Sequence, residues 1–332
     1  MSETMSTITV NVDVTNPGQF FACCGLLELA HRLWPGAEGW FDLSSSEFAL
    51  RVAAGDGAAE QLIRAIVDCP IEGLTADERQ ELDELERRKR DLRKVGRALT
   101  EAEEKRRSEL GRLTREGHLV LKGFQLTLDW WQEDGSPATW AGKQEIHKIA
   151  RAAQDGIKHC GDARYPLQDV LNWQLVLRTP SEYRSNKGTD KKVEPFYFDA
   201  RRYAHPLDEG FSLDVQGADT LANPATEFLC LVGLQRFRPQ RDGDSKRTFQ
   251  YCAHSGGIPS VLRQSPQRDG DSKWTFQYCA WSQALGVAQA APVASGLVPV
   301  PATRRFCFPL QFRDDQKRYK AFGFARPIGV SS

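Results

Sequence analysis

Two stretches of this chain, far apart in sequence, spell the same kind of unit. The first, from Ile8 to Pro35, reads ITVNVDV, then Asn16-Pro17, then FFACCGLLELAHRLWP. The second reads FSLDV from Phe211, then Asn223-Pro224, then a helix containing FLCLVGLQRF. Aligned on Gly25 and Gly233, Phe20 matches Phe228 and Leu26 matches Leu234, while the Asn-Pro pairs sit one residue out of step. An alternating strand, an Asn-Pro turn and a helix apolar on almost every side make one supersecondary unit, used twice. Such a chain is constrained to a scaffold of two related halves, which points away from a single reaction centre.

The chain has 332 residues, enough for two cores. Residues 1–132 carry the order β-α-β-β-α-β. Strands are expected at 7–14, 39–43, 47–53 and 118–131, with helices at 17–34 and 58–68. This is the order of the ferredoxin-like (RAMP-like) fold, an α+β arrangement shared by many RNA-binding domains. Two helices cover one sheet face and leave the other free to meet RNA or a neighbour. Residues 72–117 interrupt it as an inserted antiparallel helical hairpin. Thr75 with Glu78 and Thr100 with Glu103 form capping boxes, and Gly96 lies near the break. Leu85, Leu92 and Leu99 repeat every seven residues. That thin stripe either holds a solvated spacer together or marks an arm that touches a partner subunit or nucleic acid. Residues 133–332 form a second α+β half with a mostly antiparallel sheet. It holds a helix over 143–160, a polar basic loop over 181–195, and closing strands in a tail where apolar and basic residues alternate.

A second repeat differs in kind. PQRDGDSKRTFQYCA at 239–253 recurs as PQRDGDSKWTFQYCA at 266–280, and only Arg247 against Trp274 differs. Identity this close marks a recent duplication of a hairpin segment spanning 239–280, with Asp-Gly before an alternating strand. The second copy, next to Trp274 and WSQAL, is expected to hold the native place in the sheet, and the other to be an added hairpin.

Lys plus Arg and Asp plus Glu balance at 44 each, so a polyanion site must come from local clustering. The N-terminus lacks the cationic start and apolar core of a signal peptide. No apolar run reaches the roughly 18 residues of a membrane span. Eight cysteines are scattered without a C-x-x-C pair; they read as reduced core thiols of a cytoplasmic protein. There is no P-loop, H-E-x-x-H or G-x-S-x-G, and RDGDSK reads as a turn, not a calcium loop. His31 ends an apolar helix and reads as a cap. His254 is the best general-base candidate, but the other copy places Trp281 there. No catalytic residue, metal or cofactor is assigned.

Positive charge beside aromatics remains. Arg184, Lys187, Lys191 and Lys192 precede Phe196, Tyr197 and Phe198, followed by Arg201 and Arg202. Asn186 lies in the same loop as a base-edge candidate, and Lys143 and Lys148 line the polar face of the 143–160 helix. Cations neutralise phosphates and aromatics stack on unpaired bases. The plainer reading is a solvated loop leading into a half-buried strand.

TNPGQFFACCGLLELAHRLWPGAEGWF, EPFYFDARRYAHPLDEGFSLDV, NPATEFLCLVGLQRFRP and TFQYCAWSQAL together resemble the short large-subunit family of type I-U/I-G CRISPR interference complexes. The resemblance covers most of the chain outside the charged hairpin and one duplicate copy. It implies a non-enzymatic subunit of a Cascade-type complex, with CRISPR RNA, target double-stranded DNA, backbone and RNA-processing subunits and a helicase-nuclease as partners, and no membrane. Large subunits of such complexes read the short motif beside the DNA target, while RNA pairing reads the rest. The resemblance carries no motif-reading residue onto this chain. Two alternatives stand beside it: a ferredoxin-like CRISPR RNA-processing endoribonuclease using His254 or His31 as base, and a structural assembly subunit without direct DNA contact.

Overall fold

Asn-Pro starts both long apolar helices, and the reason is local chemistry. Proline at the first helical position gives up an amide that has no helical partner, and asparagine before it caps a free N–H. In the computed structural model Asn16 Oδ1 accepts from the Gly18 N–H at 3.1 Å, and Asn223 Oδ1 accepts from the Thr226 N–H at 2.8 Å. The structure describes residues 4–74, 76–116, 119–128, 137–139, 146–163, 176–177, 196–202, 221–241, 275–312 and 320–328.

The first half runs β1 (Ser6–Asn11), α1 (Pro17–Leu33), β2 (Glu38–Asp42), β3 (Glu47–Val52), α2 (Ala58–Asp68) and β4 (Ile71–Glu72). The insertion follows as α3 (Ala76–Lys94) and α4 (Glu101–Glu116), then β5 (Leu119–Leu121) and β6 (Leu126–Leu128). Next come α5 (Ile146–Ala163), β7 (Val176–Leu177), β8 (Leu221–Ala222) and α6 (Pro224–Arg236). The chain continues through β9 (Gln240–Arg241), β10 (Thr275–Ala280), β11 (Leu285–Gly286), α7 (Val287–Ala294), β12 (Arg304–Phe312), β13 (Lys320–Phe322) and β14 (Arg326–Ile328). Antiparallel strands and segregated helices make this an α+β protein.

The first sheet has the order β1-β3-β2-β11. Period-two alternation sends Val10, Phe48 and Phe41, paired in one row, into the core. Three strands thus keep the split β-α-β order expected of a ferredoxin-like domain. The fourth does not. Residues 118–131 were expected as one strand, but the chain turns at Lys122–Phe124, with Gln125 at φ 50°, and folds β5 onto β6. These two pair with β4 in a separate three-stranded sheet. The first sheet gains its fourth strand, β11, from the second half, beside β2.

The second sheet has the order β13-β12-β10-β9, with β14 also on β12. Its central β10 is the TFQYCA of the second duplicate copy. Phe276, Tyr278 and the following Trp281 are fully buried. The Trp281 Nε1–H donates to the Gly39 carbonyl at 2.8 Å, and the Tyr278 hydroxyl donates to the Val14 carbonyl at 2.6 Å. The first copy places His254 where Trp281 stands, so it would leave that aromatic pocket underfilled. Yet β9, which pairs with β10 in the register Phe276↔Arg241, comes from the start of the first copy. The hairpin is therefore assembled from one arm of each copy, and the remainder of the duplication, 242–274, lies outside the described residues.

The two repeated helices cross at their aligned glycines. A Cβ on Gly25 would lie 2.1 Å from the Leu229 carbonyl oxygen, and one on Gly233 would lie 2.0 Å from the Phe21 carbonyl oxygen. Leu229 and Phe21 each stand four residues before the glycine of their own helix, so the contact is symmetric between the two units. The strand of the second unit, from Phe211, lies outside the described residues. Because α1 meets α6 on one side and the first sheet on another, Phe20 through Ala30 are all buried, as an all-round apolar helix requires. Phe20 stacks on Tyr278 at 4.3 Å and on Phe41 at 5.0 Å, joining both sheets through one continuous core.

Past this crossing the repeat has diverged into an ion pair. Glu28 and Arg236 occupy equivalent positions, three residues beyond each glycine. The Arg236 Nε–H donates to Glu28 Oε2 at 2.5 Å and the Arg32 Nε–H to Glu28 Oε1 at 2.8 Å. Helix α5 docks Ile146, Ile149, Ala150, Ala153 and Ile157, the expected apolar face, into the core. The inserted hairpin is antiparallel as expected. Thr100 and Glu103 form their capping box, and Leu82, Leu85 and Leu92 are only half-buried along the seam. Fully buried Leu110 and contacts with α5 fix the hairpin to the body.

Candidate nucleic-acid interface

The segment 196–202 is bolted to the paired helix N-termini. The Asn16 side-chain amide donates to Asp199 Oδ1 at 2.7 Å, and Asn16 Oδ1 accepts from the Ala200 N–H at 3.1 Å. Glu227, in the first turns of α6, accepts from the Phe198 and Asp199 N–H groups, each at 3.3 Å. Asp199 also accepts from the Arg201 backbone N–H and is gripped by its guanidinium at 3.0 and 2.5 Å. Asn16, Asp199 and Glu227 are all fully buried. Two carboxylates beside two helix N-termini are favourably placed against the helix dipoles. Their oxygens are occupied by protein donors and no solvent reaches them, so the cluster positions the chain rather than handling protons for a substrate. Sequence reading missed it; the signal was the Asn-Pro in each unit together with Phe-Asp-Ala-Arg at 198–201.

This geometry sets the surroundings of those expected site residues that the structure describes. Arg201 is an ion-pair partner of Asp199, with its side chain 26% exposed, so its charge is already matched. Phe196, Tyr197 and Phe198 were read as base-stacking aromatics, but they are buried. Phe196 stacks on Phe198 at 5.1 Å, and Phe198 meets Phe322 at 5.0 Å. Gly18 allows this, because a Cβ there would lie 2.4 Å from the Phe198 carbonyl oxygen. Arg202 closes the short turn Ala200–Arg202. Lys148 is exposed on α5. Arg184, Asn186, Lys187, Lys191, Lys192 and Lys143 lie outside the described residues, as does His254. His31 accepts the Gly36 N–H at 3.3 Å through Nδ1, the capping role expected of it. Six cysteines, Cys23, Cys24, Cys69, Cys230, Cys279 and Cys307, are free and buried. Burial pushes the Cys23, Cys24 and Cys230 thiols well above their ordinary range, which removes their nucleophilicity.

The two sheets present opposite charge. The solvent face of the first sheet carries Glu38, Asp42 and Glu47 against one cation, Arg51. Arg51 is paired with Glu38 and lies over the Trp40 ring at 5.9 Å. A net acidic face repels phosphate, so of the two partners expected for this free face, RNA or a neighbour, its charge suits a neighbour better. The strands of the second sheet carry Arg241, Arg304, Arg305, Lys320 and Arg326 and no acidic residue. Arg305 and Arg326 are exposed on its outer face, flanked by Gln277 and Gln311, while Phe306, Phe308 and Leu310 point inward. Lys320 titrates below its ordinary range because it is partly buried and because Arg241 lies near it. In a chain of zero net charge this is strong segregation.

No protein-family model matches the chain, and no curated protein or solved structure is similar to it. Among the described residues, no helix is long and apolar enough to cross a membrane, and no group of His, Cys, Asp and Glu is arranged to hold a metal ion.

Proposed function

We propose that this chain is a non-enzymatic subunit of a type I CRISPR RNA-guided DNA surveillance complex, working in the cytoplasm. It binds target duplex DNA near its flanking motif and helps recruit the helicase-nuclease. The observation that carries the nucleic-acid part is the second sheet, whose strands hold five basic residues and no acidic one. Such a surface attracts a polyanion and makes its binding salt-dependent. The resemblance of the Asn-Pro units and of TFQYCAWSQAL to a CRISPR large-subunit family supports the choice of assembly. The occupied, solvent-free carboxylates at Asp199 and Glu227 and the high thiol pKa values support a scaffold over an enzyme.

The test is a salt titration of duplex DNA binding by the full chain. Arg305→Gln with Arg326→Gln is expected to weaken binding and to make the log–log salt slope shallower by about 2, at about 0.9 per phosphate contact. Alanine at Arg184, Lys187, Lys191 and Lys192 is expected to act in the same direction. Unchanged affinity in both variants at low salt removes these surfaces from the proposal. Incubation with CRISPR repeat RNA tests the rival: cleavage lost on changing His31 or His254 establishes a ribonuclease instead.

A further inference from the structure

We propose that the tip of the inserted α3–α4 hairpin is a separate site that grips the phosphate backbone of a nucleic-acid duplex. The idea rests on the nucleic-acid-binding reading above but uses none of its residues. Charge along α3 is polarised. From Asp77 to Glu86 the helix is acidic, with Arg79 its one cation, whereas Arg87 to Arg97 is basic, with Asp91 its one acid. Two ordinary explanations account for part of this. Cations complement the dipole at a helix C-terminus, but that effect is confined to the last turn, which holds Arg93 and Lys94. Cross-hairpin pairing uses Arg88 with Glu103 at 2.9 Å and Lys89 with Glu104 at 2.9 Å, and Lys94 holds Asp91 at 2.8 Å.

Neither accounts for Arg87, Arg90 and Arg97, and Arg93 remains available beside them. All four are exposed and none has a carboxylate within 4.0 Å among the described residues, although Arg90 and Arg87 lie near enough to Asp91 to help Lys94 hold its carboxyl down. Arg87, Arg90 and Arg93 follow one another at i,i+3 spacing on the helix. Gly96, at φ +70°, ends the helix, and the Arg97 N–H donates back to the Leu92 carbonyl at 2.8 Å, which fixes Arg97 beside the last turn. The arm is held at its base by buried Leu110. Its 19-residue first helix spans about 28 Å, so the cations stand well out from the body. Residues 76–116 contain no Phe, Tyr or Trp. The tip therefore lacks the stacking surface that single-strand binders use and offers only charge, which suits the backbone of a duplex.

The experiment uses the full chain with Arg87, Arg90, Arg93 and Arg97 all changed to Gln, a residue of similar helix propensity. The probe is a random-sequence DNA duplex of 30 base pairs, followed by fluorescence anisotropy from low to physiological salt. The expected result is at least a tenfold loss of affinity at low salt and a log–log slope shallower by about 3.6. The matching Arg→Lys variant is expected to keep both affinity and slope. Equal loss in the Lys variant would mean that the change acts through folding, and would overturn the proposal. Parent-like binding by the Gln variant, alongside weakened binding by the Arg305/Arg326 variant, would sink the hairpin site and leave the wider reading standing. A parent chain that binds no duplex sinks both. A Gln variant that keeps duplex affinity but loses binding to polyglutamate assigns the tip to an acidic protein partner instead.

Discussion

Substituting alanine for Gly233 should destabilise the whole protein, because the crossing of the two repeated helices has no room for a methyl group. The new Cβ would meet the Phe21 carbonyl oxygen at 2.0 Å and the Gly25 nitrogen at 2.9 Å. Both are backbone atoms in a helix, so no side-chain rotation relieves the clash and the helices must part by about 1 Å. A gap of that size forfeits a quarter to a half of each dispersion contact across it. The faces involved include buried Phe21 on one helix and buried Leu229 on the other, with the Glu28–Arg236 pair one turn beyond. A cost of about 3–5 kcal/mol is expected, offset by about 1 kcal/mol of helix propensity gained on replacing glycine. The net loss of about 2–4 kcal/mol should be read by denaturant unfolding, with a fall in Tm of several degrees. Gly25→Ala should cost about as much, since its Cβ would lie 2.1 Å from the Leu229 oxygen. The double variant should cost far less than the sum, because helices already parted accept the second methyl. A single variant within about 0.5 kcal/mol of the parent, or a strictly additive double, would refute a shared glycine joint.

Glu28 is nearly inaccessible, at 2% exposure, between Arg32 and Arg236. Burial pushes its carboxyl up, but the two guanidinium groups outweigh this and hold it below its ordinary value of 4.5. A depressed carboxyl stabilises the fold above its unfolded pKa and loses that contribution as pH falls through its folded pKa. Glu28→Gln should therefore lower stability at pH 7 and show a flatter acid limb below about pH 4.5, measured by unfolding at stepped pH. Removing both arginines should cost more, about 3 kcal/mol, by stranding a buried carboxylate; a smaller loss than in Glu28→Gln would count against the pair. Deleting 242–268 joins Arg241 to Asp269 and restores a single hairpin segment. Shortening the β9–β10 connection from 33 residues to 6 should stabilise by about 1.5 kcal/mol through loop closure alone, visible as a rise in Tm of about 2 °C. A drop in Tm would show that the extra copy is packed as part of the fold.

The helices were legible because their chemistry is local. An Asn-Pro start and an apolar circumference define α1 and α6, and Gly25 and Gly233 stood out as matching positions of the two units. What sequence could not show was that those glycines touch each other. The closing strand of the first sheet was misplaced because residues 118–131 read as one strand, alternating in their second half, while Lys122–Phe124 turn the chain back. Its partner came instead from Leu285–Gly286, a pairing that only tertiary contact reveals. Phe196, Tyr197 and Phe198 looked like stacking residues beside basic neighbours. They sit in the core because Asn16 and Glu227, distant in sequence, hold the adjoining backbone against two helix ends. Arg201 was read as a free cation for the same reason, its partner Asp199 being visible only as a neighbour of aromatics. The basic character of the tail was plain in sequence. Register was needed to place Arg305 and Arg326 together on one outer face.

The most direct measurement compares target-duplex binding by a CRISPR RNA-guided complex assembled with and without this chain from guide RNA, backbone and RNA-processing subunits. The predicted result is tight, salt-dependent binding beside the flanking motif only when the chain is present, with every nucleic-acid strand left intact. Equal binding in its absence, or strand cleavage by the purified chain alone, would contradict a role as a non-enzymatic DNA-binding subunit.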